Sequence, residues 1–284
     1  MSRRWIFVLI ILAFIVSPIL QARDLTNKQI SYPEDNLELL VVNINLGVGE
    51  FSLHSEDSRD ILRAEVNYNE RRVEIYSDYR KKGNTGYLEL GSDLLSKTHI
   101  QSGDNRWELT LSKTYRTDLS IDIGLCSADI ELGGIPLSYL NIDVGAASGT
   151  IKFTEPNPTT AEDIKIDAGA SSLKIEKLGN ANFKYLKFDG GVGKFKIDMA
   201  GEYKTDSRAE ISIGLGKATI YLPSNLPLRV EAETSFLSSV KFKNEKKFES
   251  KDGFFESLDF SDSDVRLDLK IDVGLGSVDI VWVD

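Results

Sequence analysis

Cysteine and histidine are almost missing from this chain: its 284 residues hold one cysteine, Cys126, and two histidines, His54 and His99. A single thiol excludes any intrachain disulfide. The histidines stand far apart in sequence with no ligand-like partner at helical or hairpin spacing, so neither a zinc site nor a Ser-His-Asp triad has its parts. Positive charge is short too: 34 Lys and Arg face 44 Asp and Glu, a formal −10. So acidic a chain argues against nucleic acid as a partner. Apolar runs of membrane-spanning length are also missing. The run Trp5 to Val16 rises about 18 Å as a helix, against a hydrocarbon core of about 30 Å.

What stands at the start is a short address. Arg3 and Arg4 precede that apolar run, and Ser17-Pro18 and a polar exit at Gln21-Ala22-Arg23 follow it. The order is that of a signal peptide over residues 1–22. Two outcomes follow: cleavage after Ala22, or retention as an uncleaved anchor, the one route to a membrane. Either exports the rest, to the periplasm or cell envelope of a bacterium. Removing the segment deletes two arginines and no acid, which takes the formal charge from −10 to −12. No cysteine follows the run, so a lipoprotein anchor is not expected.

With 41% apolar residues the chain can bury a large core. One pattern recurs seven times, around Gly47, Gly124, Gly145, Gly169, Gly191, Gly214 and Gly274, as in LSIDIGLCSADI, LNIDVGAASGTI and LKIDVGLGSVDI. From Gly124 the glycines are 21, 24, 22, 23 and then 60 residues apart, and 77 separate Gly47 from Gly124. Five, three and one residues before each glycine the side chains are nearly all apolar, for example Leu140, Ile142 and Val144. That alternation is a strand with one buried face. After the glycine the apolar phase shifts to the fourth and sixth positions, as in Phe195 and Ile197, so the chain turns a corner and presents a second strand to the same interior. Two positions past the glycine every residue is small: Gly49, Cys126, Ala147, Ser171, Gly193, Gly216 and Gly276. Cys126 thus reads as a small residue at a crowded corner rather than a reactive thiol.

No helical period competes, so the class is all-β. One rung of 22–24 residues buries too little to offset its backbone entropy and needs neighbours on both faces, which parallel stacking supplies. The expected architecture is a single-stranded β-solenoid over 119–284. It is preceded at 23–118 by divergent β rungs or a cap, and interrupted at about 223–265 by a further rung and a long excursion.

The motif IDIGLCSADIEL with NIDVGAASGTIKF, KIDAGASSLKIEKLGNANFKYLKFDGGVGKFKIDMAGE and the closing GLGSVDIVWVD resembles the bacterial toast-rack family. More distantly it is similar to the C-terminal domain of LiaF-like cell-wall-active antibiotic response proteins and to adhesin-type domains of unknown function. The resemblance covers about Ser31 to Asp284 and implies a right-handed β-solenoid at the cell envelope. For LiaF-like proteins it also implies a role in restraining an envelope-stress sensor kinase. Those proteins carry several transmembrane helices ahead of this domain, where this chain has only the signal-like segment. The family supplies no catalytic residues.

One polar ladder runs through the repeats, two positions before the glycine: Asp122, Asp143, Asp167 and Asp189, then Asp272, with Ser212 breaking the row. Neighbouring carboxylates about 4.8 Å apart in water repel by about 0.9 kcal/mol, so a solvated row survives without a cation. Calcium bridging is the other reading, and millimolar calcium raising the melting temperature would mark it. A second candidate is the lysine-rich stretch Lys241, Lys243, Lys246, Lys247 and Lys251. Glu245, Glu249 and Asp252 make it a mixed-charge loop, with contact to an anionic envelope polymer as the alternative. A polysaccharide-cleaving enzyme needs paired carboxylates in an aromatic-lined groove, whereas the aromatics here look scattered singly in sequence. The function read from the sequence is therefore a non-enzymatic scaffold or protein-interaction module of the envelope, linked by resemblance to stress sensing, with no cofactor. Its alternative is a glycan-binding or adhesin-like module contacting cell-wall polymer.

Overall fold

The computed structural model describes residues 25–95, 102–234, 237–243, 248–251 and 254–283; the leader, His99, Lys246 and Lys247 lie outside the described residues. Among the described residues sixteen strands follow one another as β1 (Thr26–Tyr32), β2 (Leu39–Glu56), β3 (Leu62–Tyr68), β4 (Val73–Lys82), β5 (Thr85–Leu94), β6 (Asn105–Ser112), β7 (Thr117–Glu131), β8 (Leu137–Lys152), β9 (Ala161–Glu176), β10 (Phe183–Asp198), β11 (Ser207–Pro223), β12 (Leu228–Thr234), β13 (Ser238–Lys243), β14 (Phe248–Lys251), β15 (Phe254–Ser257) and β16 (Leu267–Val283).

The predicted stack is present. Strands β2, β7, β8, β9, β10, β11 and β16 lie side by side, all parallel and in register on their glycines. Ile44, Ile121, Ile142, Ile166, Phe188, Ile211 and Ile271 thereby form one column, each at most 2% exposed, within a single core that runs from Ile30 to Trp282.

The corner explains the glycines. A Cβ built on Gly191 would sit 2.5 Å from the carbonyl oxygen of Gly169, and one on Gly169 equally close to that of Gly145. From Gly124 onward each rung bends over the glycine carbonyl of the one below, and only hydrogen fits between. Gly216 and Gly276 add a positive φ, +139° and +132°, which side-chain-bearing residues avoid.

Return loops join the rungs, and buried asparagines hold those after β8 and β9. Asn157 donates from Nδ2 to the carbonyls of Leu137 at 2.9 Å and Ala181 at 3.0 Å, and Asn180 to that of Phe153 at 2.8 Å. Asn182, at φ 48°, donates to Thr159 O at 2.7 Å. Loops leave backbone carbonyls unpaired, and these amides satisfy them where water does not reach.

Both ends depart from the simple stack. On β2, β5 covers the first half and β6 the second, so two strands build one parallel rung. Antiparallel strands then close it: β4 on β5, β3 on β6 and β1 on β3. At the other end β12 and β13 form a parallel rung on β16, and β15 and β14 follow antiparallel. Strand β16 thus lies between β11 and the earlier-made β12 and β13.

Candidate functional site

Each strand of the stack runs unbroken through its glycine; ahead of the glycine its alternate residues face outward, and register turns sequence offsets into columns. The aspartates of the row stand rung upon rung: Asp122 beside Asp143, then Asp167 and Asp189. The row has two halves. Lys165 bonds Asp167 at 2.5 Å and Lys187 bonds Asp189 at 2.7 Å. Asp122 and Asp143 make no ion pair among the described residues. Partial burial, and then the neighbouring Asp122 and Asp167, hold the Asp143 carboxyl above the usual carboxylate range. Among the described residues no group of three or more His, Cys, Asp and Glu is placed to hold a metal ion.

Of the lysine stretch, Lys241 and Lys243 lie on β13, within a rung rather than a loop. Lys243 bonds Asp279 at 2.9 Å, and Lys217 reaches the same carboxylate at 3.1 Å. The bond from Lys243, ahead of that from Lys217, holds Asp279 below the usual carboxylate range. Cys126 is buried at its corner, and burial pushes its thiol up to about 12, far from a reactive thiolate.

Two further columns escaped the sequence reading. The first is one residue past each glycine: Val48, Leu125, Ala146, Ala170, Val192, Leu215 and Leu275, all apolar and running along the outside of the corner. Leu125 is 59% exposed, Val192 52%, Leu215 48% and Leu275 42%; Leu237, just before β13, is equally open. The ridge spans about 29 Å at about 4.8 Å per rung. The offset from the glycine was its signal, masked because each residue alone looks like an unremarkable apolar neighbour of a turn.

The second is six residues before each glycine from Gly124 onward: Asp118, Tyr139, Asp163, Tyr185, Arg208 and Asp268, continued by Arg229 on β12 and Glu256 on β15, with the apolar Val41 next to Asp118 at the other end. The loop after β15 and the segment before β11 rise over its far end and make a cleft of about 580 Å³, lined also by Phe260 and Arg266. Inside, Arg229 bonds Asp268 at 2.7 Å and lies 3.9 Å from Glu256, and Arg266 bonds Asp206 at 3.3 Å. Both guanidinium groups lie over the Phe260 ring, 4.8 and 5.1 Å from its centroid. Each carboxylate of this cleft is engaged by an arginine, an arrangement suited to binding rather than to a glycosidase's free acid and base.

Solved structures align with the chain at low identity over most of its length. A candidate cell adhesion protein of Clostridium sporogenes aligns at 18% identity over 91% of this chain and 100% of its own, with a TM-score of 0.45. A candidate adhesin of Bacteroides fragilis aligns at 11% over 91% and 98%, TM-score 0.37. A candidate lipid binding protein of Parabacteroides distasonis aligns at 12% over 92% and 97%, TM-score 0.36. No curated protein matches the chain. The family model described as the N-terminal domain of toast_rack, DUF2154, matches residues 21–176 and 157–221, well over half of the sequence. With its glycine-cornered rungs stacked in register and that match running through them as far as residue 221, the chain belongs to the toast-rack family.

Proposed function

We propose that the chain is a non-catalytic, exported interaction module of the bacterial cell envelope, and that it holds a protein partner along the apolar corner ridge. The observation that carries this reading is the ridge itself. Leu125, Val192, Leu215 and Leu275 are exposed side chains on one line, where a soluble chain gains nothing by keeping them unless something covers them. The signal-like opening supports export. The arginine-held carboxylates of the cleft support the absence of catalysis. An envelope-stress sensor kinase is the partner class that the LiaF-like resemblance implies.

A photo-crosslinking residue at Val192 in intact cells tests the reading. We expect one discrete protein adduct, lost when Leu125→Lys and Leu215→Lys are combined and kept with Lys196→Glu on the other face. No adduct, or one indifferent to the ridge substitutions, would refute it. Fractionation of the same cells tests export, since a chain recovered in the cytoplasm contradicts an envelope role.

A further inference from the structure

We infer that the column of Tyr139, Asp163 and Tyr185, together with the cleft beyond it, is a binding track for an extended β-1,4-linked glycan. This goes beyond the reading above, because the track is a different column from the corner ridge and either can fail alone.

Spacing is the first argument. Tyr139 and Tyr185 each pair in register with Asp163, so they stand two rungs apart, about 9.6 Å at about 4.8 Å per rung. A β-1,4-linked chain is a flat ribbon in which every second pyranose presents the same face, and its disaccharide repeat is close to that separation. Both rings are open to solvent, Tyr139 at 36% and Tyr185 at 57%. Tyrosines in a sheet's outward face offer an apolar plane with a polar tip, the combination that suits a sugar's C–H face and hydroxyl edge.

Chemistry between and beyond the rings is the second argument. Asp163 stands between them as an acceptor for sugar hydroxyls. Arg208 is in register with Tyr185, makes no ion pair among the described residues, and offers planar donors. Past it the column becomes the cleft floor, with Asp268, Arg229 and Glu256 in succession. A volume of about 580 Å³ is of the size that small-molecule sites have. Its mixture of acceptors and donors suits a neutral, hydroxyl-rich chain better than a polyanion, which Asp118 and Asp163 would repel. Tyr87 lies three rungs from Tyr139 in the same column, out of step with the two-rung repeat, and is no part of the track.

Chitohexaose and cellohexaose are the probes, titrated calorimetrically against the full chain. At least one is expected to bind, with affinity lowered about tenfold by Tyr139→Ala or Tyr185→Ala and about a hundredfold by the pair. Lys196→Ala on the other face should leave affinity unchanged. Both tyrosines are surface groups, and circular dichroism checks that the variants keep their fold. The proposal falls if neither hexasaccharide binds, if the double substitution leaves affinity unchanged, or if binding appears only with an acidic α-linked polymer such as polygalacturonate.

Discussion

Between Thr117 and Pro223 the strands follow one another across the sheet in chain order and every pairing is parallel, while at both ends neither statement holds. In the middle each rung meets only the previous and the next, so a repeated sequence specifies the arrangement by itself. An end has no next rung. It has to present an edge that does not recruit another chain, and the molecule does so by turning back on itself in the antiparallel pairs β4–β5, β1–β3 and β14–β15. The far end goes further: β12 and β13 are laid down first, and β16 enters between them and β11. Middle rungs owe their stability to local succession, whereas the end rungs depend on a strand that arrives late in the sequence.

Removing β16 is the most severe way to break that contrast. Its Leu267, Leu269, Ile271, Val273, Val278, Ile280 and Trp282 are all buried, together about 10 to 20 kcal/mol of burial, against about 5 to 15 kcal/mol for a whole domain. A chain ending at Arg266 should lose its cooperative urea transition and near-ultraviolet dichroism. A chain starting at Pro33, which lacks β1 and therefore only the buried Ile30, should keep both. Equal damage from the two cuts would show that the ends are not different in kind.

The glycines divide along the same line. The sequence makes all seven look equivalent, yet a Cβ on Gly47, the glycine of the seven that lies nearest the first end, would meet only the Leu94 side chain at 3.7 Å, an ordinary contact. On Gly191 it would strike the Gly169 carbonyl at 2.5 Å. Gly191→Ala should therefore cost about 2 to 3 kcal/mol, as overpacking does, and lower Tm by about 2 to 4 °C per kcal/mol for a chain of this size. Gly47→Ala should stay within about 0.5 kcal/mol. Thermal denaturation of the two variants side by side decides it.

That pair of glycines also marks how far the sequence could be read. Alternation before Gly145 or Gly191, the phase switch after it and the small residue two places on were enough to give the stack, its register and its corner, because the cause of each is local. Which glycine has a carbonyl beneath it depends on strand order at the ends, and nothing periodic encodes that. Tyr139 and Tyr185 look like scattered aromatics until Asp163 is paired with both. The asparagines that hold the return loops sit at no fixed offset from the glycines. The positions of the acidic row repeat with the glycines, while the lysines that neutralise half of it, Lys165 and Lys187, reach their partners through side-chain geometry that no period encodes.

Asp279 gives a smaller effect tied to the far end, since it joins Lys217 of β11 to Lys243 of β13 across β16. Its folded carboxyl titrates below its ordinary 3.8 because of those lysines. The contribution is therefore complete above pH 3.8 and lost as pH falls from there through the folded value. Asp279→Asn should cost about 1 kcal/mol at pH 7. In melting curves between pH 7 and pH 3 the gap between the variant and the parent should close on the acid side. A gap that stays constant would mean that the carboxylate's charge is not what joins the three strands.

The smallest effect comes from the middle, in the unpaired half of the acidic row. Asp143 is the reverse case: burial and two neighbouring carboxylates raise its folded pKa above 3.8, so the folded state holds its charge at a penalty. That penalty is present above the raised value and is lost as pH falls from there through 3.8, below which the folded and unfolded chains are both protonated. Asp143→Asn should stabilise the protein at pH 7 by up to about 0.5 kcal/mol at low salt, less as salt screens the row. Asp189→Asn, which strips Lys187 of its partner, should give no such gain. If both substitutions stabilise equally, the lysines do not neutralise the row, and its two halves are one solvated ladder along the whole face.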